Sequence, residues 1–205
     1  HIHDELTYAD ASAYFGMNNM WDTWSHSEHF KGRQDGGLYS EADTLVLIDL
    51  DLNKVVITGM GYAIGHWARF LPRGSVRVEA TSGDPLVQVT AFLDEPAGRL
   101  VLVAINNDHD PRPIVVDEAG AALTGALDGI RSMVDVRWAP LDPVPAAPGG
   151  GFADVLPGRS VTTYVGSIGT AVGPEPAPGA TPSPSHLAPP TSSHRLFVPE
   201  ARRFP

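Results

Sequence analysis

After Gly74 the apolar residues of this chain fall on alternate positions, and the pattern returns in segment after segment to about Val165. A period of two places one face of each segment against a core, which is the signature of β-strands. Val76-Arg77-Val78-Glu79-Ala80 alternates. Leu86–Phe92 and Arg99–Ile105 flank Asp94–Gly98, a short turn holding Pro96 and Gly98, and read as a hairpin. Ile114–Val116, Ile130–Val134, Val136–Trp138 and Val161–Val165 follow. Turn residues separate them at the ~8–12-residue cadence of an antiparallel sandwich. With 21 glycines and 19 prolines, the chain is excluded from helical bundles and coiled coils. A hydrophobic share of 42% is enough to build a core. No internal repeat is visible.

Before Gly74 the period differs. Met60, Ile64, Trp67, Ala68 and Leu71 recur at helical spacing on one face, Thr58 is a good N-cap, and Pro72 with Gly74 stops the helix. Trp67 is expected to anchor this helix, with His66 and Arg69 toward the polar side. Leu45–Asp49 and Val55–Ile57 read as another hairpin. Ala11–Met17 is a small and apolar run suited to a buried parallel strand. Asn18–Gly37 is then a polar loop holding Trp21, Trp24 and Phe30.

The two ends are unlike the middle. His1–Leu6 reads as the last turns of a helix already under way, with no basic and apolar leader before it, so a fragment or processed product is expected. After about Gly166 the pattern is lost. Residues 173–190 hold seven prolines, a composition of extended linkers or disordered tails. Residues 194–205 carry Leu196, Phe197, Val198 and Phe204, too few to fold alone.

Charge and composition narrow the function. A net charge of −10 argues against nucleic acid as a partner, since duplex binding needs a basic face. Neutral sugars remain open. No apolar run reaches the ~18 residues of a membrane span. With no cysteine, disulfides and thiolate metal sites are impossible.

Four groupings carry possible chemistry. His26-Ser27-Glu28-His29 has zinc-ligand types, as do His1 and His3 more weakly, but a glycine-rich loop gives them no fixed geometry. Glu28, Asp35, Glu41 and Asp43 include carboxylates for a glycosidase pair, yet no apolar surroundings raise one pKa. Solvated acids are the expectation. Trp21 and Trp24 with Asn18 and Asn19 suit sugar: indole faces stack on C–H faces and carboxamides bond hydroxyls, with packing against a neighbouring domain as the alternative. Asn106-Asn107-Asp108-His109-Asp110 offers oxygens for calcium but lacks an EF-hand spacing, and a self-bonded turn is expected. Ser12 and Ser160 lack the surroundings of a nucleophile. No metal and no cofactor is expected.

Several segments together resemble glycoside hydrolase family 30, the glucosylceramidase-like and endo-β-1,6-galactanase-like enzymes. Thr58–Val78 is similar to that family's last barrel helix and exit strand, with Ala68 where the family has Ser before Arg-Phe, and Pro72-Arg73-Gly74 in place of Arg-Pro-Gly. Val89–Phe92, Leu100–Asn107 and Leu156–Val165 resemble its β-sandwich, and Ile2–Asp4 with Ala11–Tyr14 its eighth barrel unit. The resemblance, over roughly residues 1–166, implies a mostly β fold: an antiparallel sandwich at 73–167, preceded at 1–72 by the end of a (β/α)8 barrel; composition adds a disordered proline-rich linker or tail at 168–205. It implies retaining hydrolysis of β-linked glycans by two glutamates of an upstream barrel, so no residue here is assigned as catalytic. Asn18, Trp21 and Trp24 would then face the sugar. An extracellular location follows from polymer-degrading relatives. The competing readings are a non-catalytic carbohydrate-binding sandwich and a purely structural brace.

Overall fold

In the computed structural model, residues 2–9, 11, 20–22, 44–50, 53–118, 122–169 and 194–198 are described. They form a β-sandwich with two helices on the outer face of one of its sheets. Helix α1 is Ile2–Thr7. Strands β1 (Met20–Asp22), β2 (Val46–Asp49) and β3 (Lys54–Ile57) make a three-stranded sheet in which β1 runs parallel to β2 and β2–β3 is a hairpin. The expected hairpin is therefore present. Parallel pairing falls at Met20–Asp22, within the stretch read as loop. Of the expected strand Ala11–Met17, residues 12–17 lie outside the described residues.

Helix α2 is Gly59–Ala68. Its cap is the one the sequence announces: Thr58 Oγ1 accepts from Gly61 N at 3.1 Å. Glycines 59, 61 and 65 are weak helix formers, so tertiary contact must hold this helix. A Cβ on Gly61 would lie 2.3 Å from the Leu45 carbonyl oxygen, so the glycine lets the helix press onto the chain entering β2.

The sandwich follows. Strands β4 (Val76–Val78), β6 (Val87–Asp94), β7 (Arg99–Asn106), β13 (Ser160–Ile168), β9 (Leu123–Met133) and β10 (Val136–Pro140) lie side by side in the large sheet, and β11 (Val144–Pro145) adds to β9. The small sheet has the order β12 (Phe152–Leu156), β8 (Arg112–Glu118), β14 (His194–Val198) and β5 (Thr81–Ser82). Between the sheets, Val89, Ala91, Leu102, Ala104 and Tyr164 of the large one meet Ile114, Val116, Phe152 and Leu156 of the small one. A polar group is enclosed with them: Arg131 bonds Asp154 at 2.7 Å and Thr162 at 2.9 Å, and the Tyr164 hydroxyl donates to the same carboxylate. Burial, with Asp154 second, raises the Tyr164 pKa, so the phenol stays protonated.

The opposite face of the large sheet is apolar too. Phe92, Val103, Ile105 and Val161 pack on Trp67 and Leu71 at α2 and on Ile2 and Leu6 of α1. A sheet covered on both faces explains why β7 reads LVLVAI without strict alternation. The mostly β, antiparallel sandwich expected from sequence is thus the fold. Strand β13 continues through Ile168, past the Gly166 point where the pattern was read as lost. Within the stretch read as linker or tail, β14 forms a strand of the small sheet. Its two partners stand far away in sequence, so no local signal reveals it.

Candidate functional site

Buried polar groups pair across the seam where the helices meet the large sheet. Each helix carries a buried histidine that is bonded to a threonine of the sheet. His3 Nδ1 is 3.1 Å from Thr90 Oγ1. His66 Nδ1 is 2.8 Å from Thr163 Oγ1, and its Nε2 is 3.0 Å from Ser132 Oγ. Ser132 Oγ in turn accepts from the Trp138 backbone N–H at 3.0 Å. Burial holds His66 far below the usual imidazole range, at about 4, and lowers His3 as well. With both nitrogens occupied by hydroxyls, His66 is neutral and has no lone pair to offer a metal. It is a fastener, not a base. His66 was expected toward the polar side of the helix; it is instead fully buried. The sheet decides this, because β9 and β13 present the hydroxyls of Ser132 and Thr163 beneath the helix.

Trp138 is the second fastener. It sits at an irregularity in the β9–β10 pairing between Val136 and Ala139, with φ 44°, a backbone region that a tryptophan enters only under constraint. Its indole N–H donates to the Tyr62 carbonyl at 2.9 Å, and the Tyr62 ring stands edge-on at 4.7 Å. The Arg69 guanidinium lies 4.7 Å from the indole centroid, and Phe70 is edge-on at 6.5 Å. Gly65 of α2 lies against the ring. The indole is therefore enclosed by the helix and is not an open platform for a sugar ring.

Asp84, Asp94, Asp108 and Asp154 of the sandwich pair with arginines. Arg112 bonds Asp84 at 3.0 Å and Asp108 through both Nε and Nη2. Hydrogen bonding from Arg112 is the largest cause holding Asp108 below the usual carboxylate range. The Asn106 carboxamide donates to the carbonyls of Asp110, Leu156 and Pro157 and accepts from Asp108 N. In the 106–110 segment, then, the Asn106 and Asp108 side chains brace their own turn, as expected for that loop. Ser160 Oγ donates to the Pro157 carbonyl, a turn bond. Among the described residues no group of three or more His, Asp or Glu side chains stands where it could share a metal ion.

Of the residues expected to meet sugar, Trp21 lies in the middle of β1, opposite Leu47 of β2. Asn18, Asn19 and Trp24 lie outside the described residues, as do His1, Ser12, His26, Glu28, His29, Asp35, Glu41 and Asp43. Sequence reasoning did not single out Trp138. The only hint was its place at the end of a strand-like run, and no local pattern links it to Gly65.

Residues 74–164 match the glycosyl hydrolase family 30 β-sandwich domain. The sandwich of this chain is similar to that of glycosyl hydrolase family 30. The match begins at Gly74, where α2 gives way to β4, and ends inside β13. A further similarity runs to mouse lysosomal acid glucosylceramidase, 24% identical over 98 residues, or 48% of this chain and 19% of the relative. Among solved structures, the family 30 xylanase C catalytic domain from Talaromyces cellulolyticus superimposes with a TM-score of 0.61 at 24% identity, covering 81% of this chain and 33% of that one. The subfamily 8 xylanase Xyn30A from Clostridium acetobutylicum gives 0.60 at 24%, covering 81% and 36%. These likenesses show a shared fold. The chain spans about a fifth of the curated relative's length and about a third of each xylanase.

Proposed function

We propose that this chain is the C-terminal portion of a retaining glycoside hydrolase acting on β-linked glycans, in which the sandwich braces the end of a catalytic barrel. The observation that carries the reading is the match of residues 74–164 to the family 30 sandwich. Residues 1–72 are read as the last barrel unit, and 168–205 as linker or tail apart from Ile168 at the end of β13 and the strand β14. The docking of α1 and α2 on the sandwich through His3 and His66 supports a bracing role, because those helices belong to the part assigned to the barrel. The catalytic glutamates would lie upstream, as the family resemblance implies. Asn18, Trp21 and Trp24 would contribute the sugar-facing loop. The parent enzyme would act on extracellular carbohydrate and would need neither metal nor cofactor for two-carboxylate chemistry.

A carbohydrate-binding module is the less supported reading. Where tryptophan side chains are described, Trp67 is buried and Trp138 is enclosed by the helix, so neither offers a stacking face.

The test is hydrolysis of aryl β-glycosides and β-linked oligosaccharides by the purified 205-residue chain and by a chain extended upstream. The expected result is turnover by the extended chain alone, lost when either barrel glutamate is changed to Gln. Turnover by the 205-residue chain, abolished by Glu28→Gln or Glu41→Gln, overturns the assignment of catalysis to the barrel.

A further inference from the structure

The hydrogen bonds around His66 leave one hydrogen no choice of partner. Ser132 Oγ accepts from the Trp138 backbone N–H at 3.0 Å and lies 3.0 Å from His66 Nε2. Among the described residues, the Ser132 hydroxyl hydrogen has a single acceptor, the Nε2 lone pair. On the other side of the ring, Thr163 Oγ1 lies 2.8 Å from Nδ1 and donates to the His66 carbonyl at 3.4 Å. A neutral imidazole has one N–H and one lone pair. With the proton on Nδ1, every hydrogen is received: Ser132 O–H donates to Nε2, Nδ1–H donates to Thr163, and Thr163 O–H donates to the His66 carbonyl. With the proton on Nε2, Ser132 would accept twice and its own hydrogen would have no acceptor. That hydroxyl is only 7% exposed, and His66 and Thr163 are fully buried, so water cannot make up the loss.

A second proton then has to enter at Nε2. It takes the lone pair that Ser132 uses and turns that hydroxyl hydrogen out, while the Nδ1–Thr163 side keeps its bonds. No charge beside the ring offsets this: burial is the cause that lowers its pKa. On β9, Arg131 alternates with Ser132 and bonds Asp154 and Thr162 on the opposite face. Strand β13 carries no charged residue. On β10, Arg137 lies over the Tyr62 ring, and Asp135 stands in the exposed turn before it. Arg69, after α2, lies over Trp138. Helix α1 brings Ile2 and Leu6 to this layer and places Asp4 beside Gln88 of β6. The two sides of the ring also differ in what they hold. Thr163 belongs to β13, which is paired on both edges, by β7 and β9. Ser132 holds the amide of Trp138, a residue at φ 44° on β10, the edge strand. A strained backbone on an edge strand relaxes when its bonds are released.

We propose that His66, Ser132 and Trp138 form an acid-opened clasp: the neutral ring carries its proton on Nδ1, a second proton at Nε2 breaks the Ser132 side, and Trp138 then leaves α2 while β13 and the rest of the sandwich stay closed. The clasp is directional, because acid acts on the hairpin β9–β10 and not on the Thr163 anchor. Its opening frees the indole N–H from the Tyr62 carbonyl and uncovers Gly65, against which the ring lies.

The test is NMR on the isotope-labelled full chain. At pH 7 the ring nitrogens of His66 should report Nδ1 protonated and Nε2 bare. Hydrogen exchange, referred to the intrinsic rate at each pH, should show the Trp138 amide and indole N–H opening at least ~10-fold more often at about pH 5 than at pH 7, and at both pH values more often than the amides of Val101 and Val103 in β7. An Nε2-protonated ring at pH 7 overturns the clasp. So does Trp138 exchange that matches β7 in both conditions, which would mean that Trp138 is released only when the whole sandwich unfolds, and so does Trp138 exchange that does not change with pH. In His66→Gln the acid-induced rise should vanish. A rise that persists overturns His66 as the trigger, and if that variant does not fold, the ring protonation and exchange of the wild-type chain decide by themselves.

Discussion

A Cβ placed on Gly65 would lie 2.1 Å from Cζ2 of Trp138 and 2.8 Å from Cε2. The helix and the β9–β10 hairpin therefore meet at van der Waals distance only because one residue has no side chain, and the Trp138 backbone is bent to φ 44° to reach it.

Gly65→Ala should lower stability although alanine is the better helix former. The gain in helix propensity, about 1 kcal/mol, is outweighed by the clash with a ring held by its bond to Tyr62 and by Arg69. Overpacking of this kind costs roughly 1–3 kcal/mol, and the net change should be destabilising in a denaturant melt. The double variant Gly65→Ala with Trp138→Ala should be less destabilised than the sum of its parts. A more stable Gly65→Ala chain would show that the ring is not fixed.

Acid should loosen the junction of α2 with the sandwich. The His66 pKa is about 4 in the fold against 6.5 in the unfolded chain, so the unfolded state binds the proton first. The full contribution of neutral His66 is present above pH 6.5 and is lost as pH falls from 6.5 to 4. At ~1.36 kcal/mol per pKa unit the loss approaches about 3 kcal/mol. His3 is shifted in the same direction by burial and acts with the same sign. Denaturant midpoints measured between pH 7 and 4 should fall steeply, and His66→Gln should flatten the slope while lowering stability at pH 7. An unchanged slope in His66→Gln would remove His66 as its source.

Trp67→Ala should cost about 3–5 kcal/mol, as for other large core aromatics, and should leave the chain aggregating at moderate temperature. Trp67→Phe should be far milder. The Trp67 indole N–H is buried without a hydrogen-bond partner, so phenylalanine removes an unmet donor while keeping most contacts with Phe92 and Val103. Thermal melts of both variants test this. Equal losses would show that the indole shape, not its apolar area, matters. Trp24→Ala, in the loop assigned to sugar, should leave the melt unchanged.

Asn106→Ala should destabilise by roughly 1–3 kcal/mol or more, because three carbonyls and the Asp108 amide lose a partner at a position only 1% exposed. Asn106→Asp should be at least as harmful, since a carboxylate cannot donate to those carbonyls. The measurement is a urea midpoint at neutral pH. Retention of wild-type stability in Asn106→Asp would mean that the donated bonds contribute nothing.

The parts of this fold that could be read from sequence are those whose causes are local. Thr58 caps α2, the Asp94–Gly98 turn joins β6 to β7, and Asn106 opens a self-bonded turn. Strand β9 was legible only at its second half. Its first half, Leu123–Gly129, carries glycines at 125 and 129 and exposed Thr124 and Asp128, so its apolar signal is thin. Strand β14 and the Gly65–Trp138 contact depend on partners about seventy or more residues apart, and no window of sequence contains both. The same holds for His66. Next to Trp67 in an apolar stripe, its burial follows from hydroxyls on two distant strands. The expectation that Asn18 and Trp24 face sugar rests on residue type, on their place after the expected strand Ala11–Met17 and on the family resemblance, and both residues lie outside the described residues.

The family match starts at Gly74, but the molecule cannot be divided there without consequence. Phe92, Val103, Ile105 and Val161 form the floor on which α1 and α2 rest. A sandwich released at Gly74 would turn that floor into a contiguous apolar patch facing water, the kind of surface that drives association. It would also leave the hydroxyls of Thr90 and Thr163 without their imidazoles. The unit of solubility is therefore larger than the unit of sequence similarity. A soluble sandwich has to carry its two helices with it.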